Sequence, residues 1–299
     1  QRLRELLDVP VFHDDQHGTA IITAAGLINA LELTGRTIDK TKMVVNGAGA
    51  ASIACVELFK ALGMPGKNIV LCDTKGVIFE GRKEGMNQWK SAHAAKTKMR
   101  TLAEAIIGAD CFVGLSVKDA MTADMVRSMA NNPLIFAMAN PDPEITPEAV
   151  KAVRDAAIIA TGRSDYPNQI NNVLVFPYIF RGALDVRAST INNDMKIAAA
   201  KALAALARED VPDEVAAAYS GEHLKYGREY LIPTPFDPRL ITAVPMAVAQ
   251  AAMDSSIARN PIIDMDRYEA ELSARLNPTA SSLQAIFDVV RANPRRVVF

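Results

Sequence analysis

The chain has 299 residues, a net charge of −1 and a hydrophobic fraction of 49%, enough apolar material for one large core or two smaller ones without disulfide or metal staples. A near-neutral balance with 22% charged residues gives no electrostatic reason to bind nucleic acid or an anionic membrane. No run approaches the roughly 20 apolar residues of a membrane-spanning helix, and no charged segment followed by an apolar one marks a secretory leader.

The chain starts at Gln1, and QRLRELLDVP reads as the middle of a helix, which leads to the expectation of a processed or truncated product. The stretch VPVFHDDQHGTAII (9–22) follows. Here an apolar run ends in two adjacent carboxylates, Asp14 and Asp15, between His13 and His17, with a helix expected from about Gly18. If 11–15 is extended, successive side chains point to opposite faces. The pair then divides, one carboxylate free for a metal and the other orienting a neighbour or capping the helix. Capping and solvation alone explain the pair equally well. The histidines are split by the expected turn, which disfavours zinc, whereas hard carboxylate oxygens suit Mg²⁺ or Mn²⁺.

Further on, MVVNGAG (43–49), NIVLCD (68–73), DCFVGLS (110–116), PLIFAMA (133–139) and AAIIATG (156–162) are each about one strand long. Between them ASIACVELFKALG, TLAEAIIGA, TADMVRSMA and TPEAVKAV carry apolar residues at helical spacing. Near-continuous apolar strands separated by helices predict an α/β fold, a doubly wound, Rossmann-like parallel sheet. Cys55, Cys72 and Cys111 lie singly inside apolar segments and read as reduced, buried cytosolic cysteines rather than a disulfide framework or metal site.

Gly47-Ala48-Gly49-Ala50-Ala51-Ser52 stands between the first strand and its helix. In a dinucleotide site the first glycine permits the tight turn, the second lets the backbone approach the pyrophosphate, and the helix N-terminus offers unpaired N–H groups. Ser52 stands where a third Gly or Ala is usual, a small residue still. Asp73 ends the second strand, where an acid is expected to hydrogen-bond the adenine ribose. Thr74, Lys75 and Arg82 supply donors that could hold a 2′-phosphate instead, so NAD and NADP both stay open, with a slight lean to NADP. Ser116, at the end of the third strand, reads either as a contact to the nicotinamide half or as a plain turn. Asn140, in ANPDP after the fourth strand, reads more readily as a turn residue than as a ligand. Asn171 and Asn172 suit a small carboxylate or a helix cap, with the cap favoured locally. Beyond Gly162 the pattern is helical, including INNDMKIAAAKALAALARE, whose alanine-rich stretch suits either core burial or an oligomer contact, and a helix from about Thr242 to Ala258.

Taken in order, HDDQHGTA, the glycine loop, ANPDPE and TGRSDYPNQINNVLVFP resemble the bacterial malic enzymes over about residues 1–272. The tail from about Leu276 resembles the linker and first strand (RRVVF) of a phosphotransacetylase-like domain, as in the large fused members of that family. The resemblance implies oxidation of L-malate with NAD or NADP and decarboxylation to pyruvate with Mg²⁺ or Mn²⁺. It further implies a homo-oligomer and a cytoplasmic setting. It makes Asp15 a metal ligand with Asp14 beside it as the catalytic carboxylates, puts Asn140 and Asn172 on malate with Asn171 beside them, and puts Gly47, Ala48, Gly49, Ala50, Ser52, Asp73, Thr74, Lys75 and Ser116 on the dinucleotide. On this basis 1–30 is a hinge segment and connecting helix from a substrate domain, 31–165 the dinucleotide-binding domain, 166–274 a helical extension, and 275–299 a linker and the start of the fused domain. The family's lysine base, tyrosine acid, substrate arginine and Glu-Asp metal pair lie upstream of HDDQHGT, and none of those motifs occurs in this sequence. Cofactor binding with little or no turnover is therefore expected of the chain alone. The competing expectations are a non-catalytic dinucleotide-binding module and an amino-acid dehydrogenase, the latter disfavoured by HDDQHGT because that chemistry uses no divalent metal.

Overall fold

The computed structural model describes residues 2–218, 224–276 and 290. After a short helix α1 (Arg2–Leu6), a five-residue π-type turn (Asp14–Gly18) leads into α2 (Thr19–Leu33). The alternating portion runs β1 (Met43–Asn46), α3 (Ala50–Ala61), β2 (Ile69–Asp73), β3 (Gly76–Val77), α4 (Gln88–Ser91), α5 (Leu102–Ile106), β4 (Cys111–Gly114), α6 (Ala123–Ser128), β5 (Leu134–Ala137), α7 (Pro147–Lys151) and β6 (Ile158–Thr161). The helical portion is α8 (Phe176–Asp185), α9 (Asn193–Arg208), α10 (Asp213–Ala218), α11 (Leu240–Asp254) and α12 (Met265–Ala274).

The six strands form one sheet in the order β3-β2-β1-β4-β5-β6. All five strands expected from the sequence are present and mutually parallel. Only β3, a two-residue edge strand antiparallel to β2, was not expected; two residues are too short to show a period. Each parallel strand is buried on both faces, and its side chains divide by the two-residue period of a strand. Val45, Val113, Phe136 and Ala160 belong to one core, with α2, α3, α8, α9 and α11. Val44, Phe112, Ile135 and Ile159 belong to the other, with residues of α5, α6 and α7.

The alanine-rich stretch of α9 is core. Met195, Ala199, Ala200 and Leu203 are fully buried, because small side chains let α9 pack closely on α2 and α11. Asn29, buried in α2, donates to the carbonyls of Ala204 (2.9 Å) and Leu231 (2.7 Å) and accepts from Arg208 Nε (2.8 Å). The three cysteines are free and buried, and burial pushes the Cys55 and Cys72 thiols up to about 12, which makes them poor nucleophiles. No helix among the described residues is long and apolar enough to cross a membrane. The expected boundary at 30/31 falls inside the continuous helix α2, and RRVVF with most of the expected linker lies outside the described residues.

Candidate functional site

The strand order reverses between β1 and β4, and the carboxyl ends of those strands border the crevice where an open α/β sheet takes its ligand. Gly47 leaves β1 with φ of +106°, a conformation that side chains rarely adopt. A Cβ there would also collide with the Leu115 carbonyl group, its carbon 2.8 Å away. Gly49 differs, since a Cβ on it would meet no atom within 4 Å. The first glycine is needed by the fold and the second leaves open space above the loop. The N–H groups of Ala50, Ala51 and Ser52 precede the first helical hydrogen bond of α3, from Ile53 N to Gly49 O (3.1 Å). Without a partner among the described residues, they are donors of the kind that favours an anion at a helix N-terminus. Ser52 Oγ is buried with no partner among the described residues. The sequence-identified loop of Gly47, Ala48, Gly49, Ala50 and Ser52 is thus assembled as a cradle.

Asp73 ends β2 as expected, but its carboxylate is saturated. Oδ1 accepts from Lys75 N (2.9 Å) and Arg82 Nη2 (2.7 Å), while Oδ2 accepts from Arg82 Nη2 (2.9 Å) and Lys90 Nζ (2.6 Å). Four bonds fill the roughly four acceptor positions of a carboxylate, so Asp73 as it stands has none left for a ribose hydroxyl. Burial raises its pKa, but the hydrogen bonds from Lys90 and Arg82 outweigh that and hold it below the usual carboxylate range. Arg82 is equally committed, with Nε on Glu84 O, Nη1 on Gly76 O and Val77 O, and Nη2 on Asp73. Lys90 spends two donors, on Asp73 and Gly85 O, and keeps one. Lys75 is exposed and paired with Glu84 (2.9 Å), and Thr74 is exposed beside it. Three cations thus stand against two carboxylates here. Lys90 was missed in the sequence because it lies 17 residues beyond Asp73 on a short helix with no periodic tie to the strand.

At β4, Ser116 N (2.8 Å) and Oγ (3.0 Å) both donate to Glu144 Oε1, and Ser116 Oγ accepts from Asn46 Nδ2 (2.8 Å). Ser116 is therefore held from both sides at the strand ends, with its own donors turned onto Glu144. Asn140 is exposed at the end of β5, and its bond to Pro141 is cis.

The Asp14–Asp15 segment is not extended as supposed. His13 is extended, but Asp14 begins the π-type turn, with His17 N bonded to His13 O (2.9 Å). The two carboxylates still diverge. Asp15 is exposed and Asp14 is half-buried, where Asp14 Oδ2 accepts from Asn172 Nδ2 and Oδ1 is buried without a partner among the described residues. Burial raises the Asp14 pKa above the ordinary value, the Asn172 hydrogen bond lowers it, and the neighbouring Asp15 raises it further. Asn171 caps the turn after it by accepting from Val173 N (3.0 Å), which bears out the local expectation for that residue, while Asn172 reaches across to Asp14. The structure therefore joins Asp14 to Asn172; among the described residues Asn140 has no hydrogen bond to that pair. No group of three His, Cys, Asp or Glu side chains among the described residues is placed to hold a metal ion. Asp14 and Asp15 alone provide too few oxygens for a Mg²⁺ or Mn²⁺ shell.

A parallel sheet with a glycine loop and an open helix N-terminus at its switch point defines a Rossmann-type dinucleotide-binding protein. Residues 16–219 match the family model described as malic enzyme, NAD binding domain. The chain belongs to this malic enzyme family. It is 69% identical over its whole length to the NADP-dependent malic enzyme of Rhizobium meliloti (strain 1021) and 49% identical to the NAD-dependent malic enzyme of the same organism. It spans 39% of the length of each. The crystal structure of Entamoeba histolytica malic enzyme superposes with a TM-score of 0.81 at 34% identity, covering 99% of this chain and 60% of that one. This membership sets aside the amino-acid dehydrogenase expectation.

Proposed function

We propose that this chain is the dinucleotide-binding part of an NADP-dependent enzyme that oxidises L-malate and releases pyruvate and CO₂. The observation that carries this reading is the cradle at the α3 N-terminus, with open space over Gly49, three unpaired N–H groups and the orphaned Ser52 hydroxyl at the topological switch point. NADP is favoured over NAD by the β2 edge. A saturated Asp73 has no acceptor for a 2′-hydroxyl and its charge is neutralised, while Lys90 keeps a donor and the local balance is positive, as a 2′-phosphate requires. Lys75 and Thr74 lie at the same edge.

For the substrate, Asn172 and Asn140 are proposed to bind malate carboxylates, with Asn171 shaping the turn beside them. Asp14 keeps Asn172 oriented, and its Oδ1, without a partner among the described residues, is an acceptor left for a further donor. Asp15 is the proposed contact to the Mg²⁺ or Mn²⁺ that family membership implies, in a site whose other ligands come from outside this chain. The same reading carries a homo-oligomer in the cytoplasm, a fused phosphotransacetylase-like domain and divisions at about residues 165 and 274. The test uses a polypeptide of the relatives' full length that contains this chain. L-Malate should reduce NADP in the presence of Mn²⁺ with release of CO₂, and Asp15→Ala should abolish it. Absence of malate-dependent reduction would overturn the activity, and an active Asp15→Ala variant would remove Asp15 from the metal.

A further inference from the structure

Glu144 is fully buried at the carboxyl edge of the sheet, an uncommon place for a carboxylate. Its Oε1 accepts from Ser116 N (2.8 Å) and Ser116 Oγ (3.0 Å), and its Oε2 from Ala139 N (3.0 Å). The main-chain oxygen of Glu144 accepts from Met121 N (3.1 Å). One residue thus ties together the exits of β4 and β5 and the loop before α6. Through Ser116 the tie extends to Asn46 at the end of β1, so three neighbouring strand ends are held in one network. Gly114 is part of the arrangement, because a Cβ there would lie within 2.6 Å of both Glu144 carboxylate oxygens. The network serves the side of the crevice away from Asp73. In a doubly wound sheet bound across its switch point, the adenosine half lies over β2 and the nicotinamide half over the strands beyond β1.

We propose that Glu144 is a positioning residue that preorganises the nicotinamide side of the crevice by fixing Ser116 and the peptide before Asn140. The inference rests on the dinucleotide reading above. A buried carboxylate aimed at three donors suits this task because it accepts all of them and donates to none, so only one arrangement of the loops satisfies it. Glu144→Gln keeps the shape but turns an N–H₂ group toward one of those donors. Gly114→Ala displaces the same carboxylate from a different residue.

The test compares NADPH with adenosine 2′,5′-bisphosphate, which has the adenine end but no nicotinamide, by calorimetric titration of this chain. Variants are first checked for native circular dichroism. Both variants should bind NADPH about tenfold more weakly, the loss of one charge-assisted hydrogen bond, with affinity for the bisphosphate unchanged. A merely structural role would weaken both ligands in proportion, and that outcome, or unchanged NADPH affinity in folded Glu144→Gln, would overturn the proposal. If Glu144→Gln does not fold, Gly114→Ala decides between the same two outcomes. Failure of the wild-type chain to bind either ligand would instead overturn the dinucleotide reading itself, and this inference with it.

Discussion

Lys90→Met removes one charge and two hydrogen bonds while keeping the length of the side chain. Lys90 Nζ lies 2.6 Å from Asp73 Oδ2, with the two side chains only 17% and 8% exposed, so solvent screens the pair weakly. With Lys90 gone, Arg82 still balances Asp73, but its five N–H groups remain committed, and among the described residues this edge keeps as donors the Thr74 hydroxyl and the ammonium of Lys75, both on exposed residues. A charge-assisted hydrogen bond to phosphate is worth about 1.5–3 kcal/mol, which is roughly 10- to 150-fold in Kd for NADPH. NADH has no 2′-phosphate, and its affinity should stay within about threefold, a shift of under about 1 kcal/mol. Calorimetry gives both constants. Quenching of Trp89, the single tryptophan of the chain and the neighbour of Lys90, gives an independent reading. Equal losses for NADPH and NADH would show that Lys90 supports the fold of the β2 edge rather than a phosphate. Unchanged NADPH affinity would refute the charge argument altogether.

Two further predictions address the loop and the carboxylate pair. Gly47→Ala should destabilise the chain by roughly 1–3 kcal/mol, from positive φ and collision with Leu115, whereas Gly49→Ala should leave thermal stability unchanged and weaken dinucleotide binding; a native-like Tm for the first or unaltered affinity for the second would contradict the assignment. Asp14→Asn should raise Tm at neutral pH. The Asp14 pKa is raised above 3.8, so the folded state holds its proton longer than the unfolded state does, and stability is lost as pH rises through that window. The gain is small because the group is partly exposed to solvent, and it should fade as the pH is lowered from neutral through the window between the raised native value and 3.8, leaving no difference in Tm below that window. A Tm that falls on substitution would mean that the charged form is stabilised in the native state.

The sheet was legible because β1, β2, β4, β5 and β6 are short, nearly continuous apolar runs, each followed by a helical period, and that pattern admits few folds. The glycine loop was legible for a similar reason, since all its parts lie within six consecutive residues between a strand and a helix. What could not be read depends on packing between distant segments. Asp73 suggested a ribose contact by its position alone, and only the convergence of Arg82 and Lys90 shows that its acceptors are spent. Glu144 lies within ANPDPE, yet an acidic residue after Asp-Pro reads as solvated until Ser116 and Ala139 are seen to surround it. The π-type turn at Asp14 leaves no periodic trace in five residues, so the extended reading of 11–15 failed while its consequence, two carboxylates facing different surroundings, held by another route.

Calorimetric titration of the wild-type chain with NADPH, set beside the same titration with NADH, is the decisive test of the dinucleotide site. One NADPH should bind saturably per chain, at least about tenfold tighter than NADH, as the 2′-phosphate contact requires. Absence of saturable binding by either dinucleotide would contradict the cradle built at Gly47–Ser52. NADH binding as tightly as NADPH would contradict the reading of the Asp73, Arg82 and Lys90 edge.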